Sequence, residues 1–149
     1  MALTSRLMVA RRGITAAASL ALAFACVSCA SSTAPGGASV NLLGRWHYQG
    51  TQTSGATIAY DGTVTVTQQS ASKFNGDFDA QASTAQGGVV RVSGIVAGVL
   101  VTTTSVDFDL NLGDDVRRHV GKISGDSITG AWANDDLSSL GNFTMVRIQ

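Results

Sequence analysis

An all-β fold, with eight antiparallel strands running up and down and closing into a barrel, is predicted by three features of the chain. The first is strict alternation, clearest in Val106-Asp107-Phe108-Asp109-Leu110-Asn111-Leu112. Successive side chains in a strand point to opposite faces, so Val106, Phe108, Leu110 and Leu112 share one face. Asp107, Asp109 and Asn111 then face water, since an unpaired carboxylate is costly to bury. The second is composition: the chain has no glutamate and almost no lysine, the usual helix-surface residues, while Thr, Val and Gly abound. No stretch after the N-terminal segment carries a helical apolar stripe. The third is punctuation, because short and long connections alternate between the candidate strands. That pattern suits a meander with tight turns at one end and adjustable loops at the other, and closure removes the exposed edges of a flat sheet.

The N-terminal segment reads as an export signal. Met1 to Gly13 carries Arg6, Arg11 and Arg12 and no acid, and Ile14 to Ala25 is an unbroken run of apolar and small residues. A bilayer span needs about 20 such residues, so this run is too short. Arg11-Arg12 raises the twin-arginine route, but simple charge ahead of the apolar run explains it as well. Both cysteines, Cys26 and Cys29, close this segment, where a disulfide would staple nothing. Val27-Ser28-Cys29 resembles the lipobox of bacterial lipoproteins, in which a cysteine after small residues is acylated and becomes the mature N-terminus. Cys26 stands where that pattern prefers Leu. Acylation at Cys26 after Ala25, and ordinary cleavage after Ser28-Cys29-Ala30, are the alternatives.

The resulting division is 1–29 as signal peptide with lipidation at Cys29, 30–41 as a flexible tether, and 42–149 as one β-barrel domain. The tether contains Ser31-Ser32-Thr33-Ala34-Pro35-Gly36-Gly37, with no charge and little to bury. The lipoprotein resemblance implies attachment to a membrane through the N-terminal lipid. Ala30-Ser31 lacks the Asp associated with inner-membrane retention, which implies the outer membrane of a bacterial envelope. A periplasmic or secreted protein is the alternative. Beyond residue 29, seven Lys and Arg face ten Asp, a net charge of −3 with no basic patch, which argues against nucleic acid as a partner.

Eight strands follow in order. The first spans Gly44 to about Gln52, with Gly44, Trp46 and Tyr48 on one face. The second runs from about Thr57 to Gln69, with Ile58, Tyr60, Val64 and Val66 sharing a face and Asp61-Gly62 as a bulge or turn. Lys73 to Ala80 is the third, where Phe74, Gly76 and Phe78 alternate with polar residues. A three-residue turn at 70–72 would pair Val64 with Phe78, Val66 with Gly76 and Gln68 with Phe74. The fourth covers Val89 to Val96, and Ala97-Gly98 is the expected turn into a fifth from Val99 to Leu112. Here the parities conflict, since Val99 and Val101 would point inward out of step with Val106 to Leu112. A bulge within 102–105 would reconcile them, and a turn there would add a ninth strand. Gly125-Asp126 as a two-residue turn sets Ile123 opposite Ile128, Gly121 opposite Gly130 and His119 opposite Trp132. Asn142 to Ile148 is the last strand.

Gly44-Arg45-Trp46 resembles the Gly-x-Trp that opens the first strand of lipocalins, and the layout is similar to lipocalin and avidin-like barrels. Arg147 stands where those proteins carry an arginine packing across that tryptophan. The resemblance implies a barrel closed between the first and last strands, with Arg147 within about 6 Å of the Trp46 ring. It also implies a small ligand at the barrel mouth.

Residues that could carry chemistry are few. His47 and His119 are the only histidines, on different strands and opposite faces, and no zinc-ligand spacing is present. Asp114-Asp115 and Asp135-Asp136 lie in connections and lack the spacing of a calcium loop, so turn formation explains them best. Arg117-Arg118 reads as a local offset to the first pair. No Gly-x-Ser-x-Gly occurs, and no nucleophile, base and orienting acid converge, so no enzyme activity, metal or cofactor is expected.

Two functional readings remain open. In one, a small, largely apolar ligand binds at the open end. The inward residues nearest the longer connections are Tyr48, Tyr60, Phe78, Leu112, His119, Trp132 and Phe143. Their rings suit a flat or apolar body, in a shallow pocket centred on Trp132 and His119. In the other, these large side chains merely plug a packed barrel whose loops or outer wall bind an envelope protein. Barrel-shaped bacterial protease inhibitors and envelope lipoproteins have similar layouts.

Overall fold

A computed structural model describes residues 40–149; the expected signal peptide, Cys29 and nearly all of the expected tether lie outside the described residues. Eight strands follow one another: β1 (Gly44–Gln52), β2 (Ile58–Ser70), β3 (Lys73–Thr84), β4 (Val89–Thr102), β5 (Ser105–Asn111), β6 (Val116–Ser124), β7 (Ser127–Asn134) and β8 (Leu140–Arg147). Each pairs antiparallel with the next, and β8 returns to β1, closing an up-and-down barrel. Alternation drives this closure: Trp46, Tyr48, Val64, Val66, Phe74, Phe78, Val96, Val106, Phe108, Leu110, Ile128, Trp132, Phe143 and Met145 all point into one shared core.

Much of the expected register is present. His119 pairs with Trp132, Gly121 with Gly130 and Ile123 with Ile128 across the β6–β7 turn. Val64 pairs with Phe78 and Val66 with Gly76. The third expected pair of that hairpin is displaced. A register shift between Val66 and Gln68 sets Gln69 opposite Phe74, and the turn contracts to Ala71-Ser72 with Ala71 at φ 52°. The bulge absorbs the one-residue difference that a three-residue turn had been expected to supply. Asp61-Gly62 is neither a bulge nor a turn, because both residues pair in step with β1 and with β3.

The expected turn at Ala97-Gly98 is also replaced. Both residues lie inside β4, paired to Asn75 and Phe74 on one side and to Asp109 and Phe108 on the other. Gly98 serves close approach there, since a Cβ would come within 2.4 Å of the Phe108 Cβ and 2.7 Å of the Phe74 ring. The chain reverses instead at 103–104, where the Thr102 hydroxyl accepts from the Thr104 N–H at 3.1 Å and lies 2.7 Å from the Ser105 hydroxyl. With one turn moved rather than one added, the strand count stays at eight. The parity conflict vanishes, because Val99 and Val101 face outward.

Strands are longer than expected at the other end. β3 runs on to Thr84, and β8 starts at Leu140, which leaves connections of 53–57, 85–88, 112–115 and 135–139. The tight turns 71–72, 103–104 and 125–126 share the opposite end. That tight-turn end is filled by Leu42, Trp46, Val64, Val66, Phe74, Val96, Val106, Phe108, Ile128 and Met145, which leave a void of only about 10 Å³.

The seam between β1 and β8 is pinned from both sides. Trp46 pairs with Arg147, and the guanidinium carbon sits 4.2 Å from the indole centroid. Arg147 also donates to the carbonyls of Leu43 at 2.7 Å and Asn41 at 2.6 Å, and to Asp126 at 3.0 Å. Trp46 Nε1 donates to the Leu42 carbonyl at 2.9 Å. Gln69 holds the entering chain from β2, accepting from the Leu42 N–H and donating to the Val40 carbonyl, each at 2.7 Å. One arginine and one glutamine thus fix where the chain enters the barrel.

Candidate functional site

The half of the barrel nearer the longer connections differs in kind from the apolar half. It holds the two buried polar residues found among the described residues, Gln52 and His119, together with the hydroxyls of Tyr48 and Tyr60 and the guanidinium of Arg117. They come from inward positions of three strands: Tyr48 and Gln52 from β1, Tyr60 from β2, Arg117 and His119 from β6. Buried polar groups cost free energy unless paired, so their concentration at one end requires a network.

That network runs through His119. Its Nδ1 lies 2.9 Å from the Arg117 carbonyl. A carbonyl can only accept, so Nδ1 carries the proton. Nε2 then accepts from the Tyr48 hydroxyl, 3.1 Å away. Burial, opposed only in part by the bond to Arg117 and reinforced by its nearby charge, pushes the His119 pKa down to about 3. The ring is therefore neutral at ordinary pH. Burial likewise pushes the Tyr48 hydroxyl up, so it remains a donor.

The aromatic residues expected at this end are brought together. Tyr48 meets Phe78 edge-on at 5.2 Å between centroids and stacks parallel to Phe143 at 6.0 Å. His119 lies 5.0 Å from Phe143 and 6.1 Å from Trp132, and Trp132 meets Tyr60 at 6.2 Å. All six are buried, while Leu112 is half-buried just after β5. The rings therefore touch one another, faces on edges and faces on faces, inside the lumen. Trp132 Nε1 is buried without an acceptor among the described residues. Its edge lies against β8, where a Cβ on Gly141 would come within 2.4 Å.

Two members of the cluster were not singled out from the sequence. Phe108 stacks on His119 at 4.7 Å and meets Phe143 at 5.6 Å. Arg117 had been read as a surface offset to Asp114-Asp115. Its side chain is only 14% exposed, and its guanidinium carbon lies 4.8 Å from the centroids of both Tyr60 and Trp132. Burial works most strongly against its charge, but the bond from Nε to Asp115 at 2.7 Å and the neighbouring Tyr60 hydroxyl together outweigh it, and the pKa is raised. The signal was present, since Arg117 shares the parity of His119 and Gly121 and so belongs to the inward row of β6. His47 lies on the outer wall as expected, 3.2 Å from Asp61.

Above the rings, the lip of the barrel is divided. On β2 to β5 it is apolar: Ile58, Ala82, Val92 and Leu112 are half-buried against the core, and Val90, on the inward row of β4, is 64% exposed. These residues adjoin, with Tyr60 opposite Ala82 and Ala82 opposite Val90. On β6, β7 and β1 the lip is polar, formed by Arg117, Asn134 and Gln52.

No protein-family model matches this chain, and no curated protein matches it. Solved structures do. The redesigned β-barrel mFAP1, bound to DFHBI, is 18% identical over 71% of this chain and 94% of its own, with a TM-score of 0.57. The barrel EF1p2_mFAP2b, also bound to DFHBI, is 17% identical over 72% and 94%, with a TM-score of 0.57. A de novo designed fluorescence-activating β-barrel is 17% identical over 71% and 93%, with a TM-score of 0.51. What they share with this chain is the fold. It is a small closed β-barrel.

Proposed function

We propose that this barrel binds a small, largely apolar molecule at the end bearing the longer connections. The observation that carries the reading is the divided lip. An apolar arc from Ile58 through Ala82, Val90 and Val92 to Leu112 faces Arg117 across a floor of buried rings. A barrel end built only to be plugged gains nothing from a half-buried guanidinium or from Val90 left open on the inward row. The arc offers an apolar body somewhere to lie. Arg117, whose Nε alone is taken up by Asp115, has further donors for an acceptor group on the ligand. Tyr48, Tyr60, Phe78, His119, Trp132 and Phe143 form the floor, with Trp132 and His119 at its centre. Two of the structurally similar designed barrels carry DFHBI, which supports the capacity of this fold for a small ligand.

In the same proposal the protein is exported and held in the bacterial envelope by lipid on Cys29, with its mouth turned away from the membrane. The Val27-Ser28-Cys29 motif and the tether entering at the tight-turn end support that orientation.

A packed barrel acting through its surface, as a protein-interaction or protease-inhibitor-like module, is the second reading. The observation favouring it is that the six rings already fill the lumen they line. Native mass spectrometry of protein extracted from its own host, beside a Trp132→Ala variant, separates the two. A retained compound lost in the variant while the fold persists supports the ligand. A stability loss of about 3–5 kcal/mol with no compound in either sample supports the plug.

A further inference from the structure

Most outward rows of this barrel are polar, with exposed apolar residues such as Val120 and Val146 standing singly between polar neighbours. β1 presents Arg45, His47 and Gln49, β3 presents Asn75, Asp77 and Asp79, and β5 presents Asp107, Asp109 and Asn111. β4 breaks the pattern. Its outward row runs Ile95, Ala97, Val99 and Val101, with Ile95 and Val101 each 61% exposed and Val99 39% exposed. Three β-branched side chains in line on a water-facing wall leave much of their apolar surface open, and such a stripe marks an interaction surface.

The neighbours of the stripe say what kind of partner fits. Asp77 lies directly opposite Ile95 on the β3 side, and Asp109 directly opposite Ala97 on the β5 side. Both are exposed, and neither is in an ion pair among the described residues, whereas Asp79 is held by Arg91 and Asp107 by Arg118. Lys73, opposite Val99, is the one cation in register with the stripe, toward the tight turns. Open grooves follow both sides. One of about 460 Å³ is bounded by Gln68, Lys73, Phe74 and Val99, and one of about 390 Å³ by Ala97, Asp107, Asp109 and Arg118. From Ile95 to Val99 the backbone of β4 is paired to β3 on one side and β5 on the other, so a partner at the stripe must use side chains rather than add a strand.

We propose that the outer wall of β4 is a docking surface for a partner segment that is amphipathic and basic. Its apolar side chains cover Ile95, Ala97 and Val99, and its cations reach Asp77 and Asp109 on the two flanks. The opposed carboxylates select against acidic partners and steer basic ones, while the stripe supplies the affinity. This surface lies outside the mouth and does not depend on a ligand there.

The test uses the folded barrel and a fluorescein-labelled synthetic helix with a leucine stripe flanked by lysines. The same helix with glutamate in place of lysine is the control. The lysine helix should bind, and should bind more weakly as salt rises. Ile95→Ser with Val99→Ser should weaken binding about tenfold or more, as losing burial of one or two aliphatic side chains does. Asp77→Asn with Asp109→Asn should weaken it and remove its salt dependence. These side chains are exposed, so unchanged thermal unfolding confirms that each variant is folded. Equal binding of the two helices, or binding unaffected by either double variant, overturns the proposal. A concentration-dependent dimer abolished by the serine variants would also overturn it, making a second copy the occupant.

Discussion

The Tyr48 hydroxyl and the His119 imidazole face each other 3.1 Å apart in the middle of the barrel, donor to acceptor, on strands that are not neighbours. The bond spans the lumen and locks the histidine in one neutral tautomer, with its other nitrogen tied to the Arg117 carbonyl. It works only while the ring is uncharged.

Acid should therefore loosen this protein through His119. The histidine has its ordinary value near 6.5 in the unfolded chain and about 3 in the fold, so between those values the unfolded state binds more protons. Stability from the neutral ring is fully present above about pH 6.5 and falls as the pH drops from there toward 3. Denaturant unfolding at pH 7 and pH 4.5 should show a clear loss in the wild type. A variant with Tyr48→Phe and His119→Phe, which removes both polar partners together, should show a smaller loss over the same interval. An unchanged pH dependence would mean that His119 is not the group responsible.

The seam of the barrel should be weak wherever Arg147 is weakened. Arg147→Ala removes the cation over the Trp46 ring and leaves the carbonyls of Asn41 and Leu43 without their donors. A cost of about 2 kcal/mol is expected, read as a lower urea midpoint with an unchanged slope. Arg147→Lys should recover only part of it, because an ammonium cannot cover the ring and reach both carbonyls as a planar fork can.

Gly76 is a position where one methyl group should be felt. A Cβ there would lie 1.9 Å from the Thr65 carbonyl oxygen, which is backbone and cannot swing away. Gly76→Ala should destabilise the barrel by about 1–3 kcal/mol or more. Gly87→Ala makes a useful contrast. It meets no atom within 4 Å, so any loss there reports only its positive φ of 84°. Comparable midpoints for the two variants would mean that crowding at Gly76 is relieved by backbone movement.

If Cys29 carries the proposed lipid, Cys29→Ser should move the protein from the membrane fraction to the soluble one. One acyl chain binds only marginally, but several hold stably. Retention of Cys29→Ser on membranes would place the anchor elsewhere, with Cys26 the first residue to replace.

The sequence by itself determined the barrel. Alternation at Val106 to Leu112 and the pairing of His119 with Trp132 were legible because side-chain parity in a strand is a local property, while the placing of Trp46 against Arg147 followed from the lipocalin resemblance. The same parity placed Tyr48, Tyr60, Phe78, Trp132 and Phe143 on one lumen face. Tertiary structure decided what parity cannot count. The reversal at 103–104 instead of Ala97-Gly98, and the bulge near Thr67, depend on how β4 and β2 must meet two neighbours at once around a closed ring. Arg117 looked like half of a surface charge pair because sequence shows only that Asp115 is nearby. Its position between Tyr60 and Trp132 is set by curvature, which brings the starts of β2 and β6 and the end of β7 to one side of the mouth. Contacts across a lumen join residues far apart in the chain, and those are what only the folded barrel could supply.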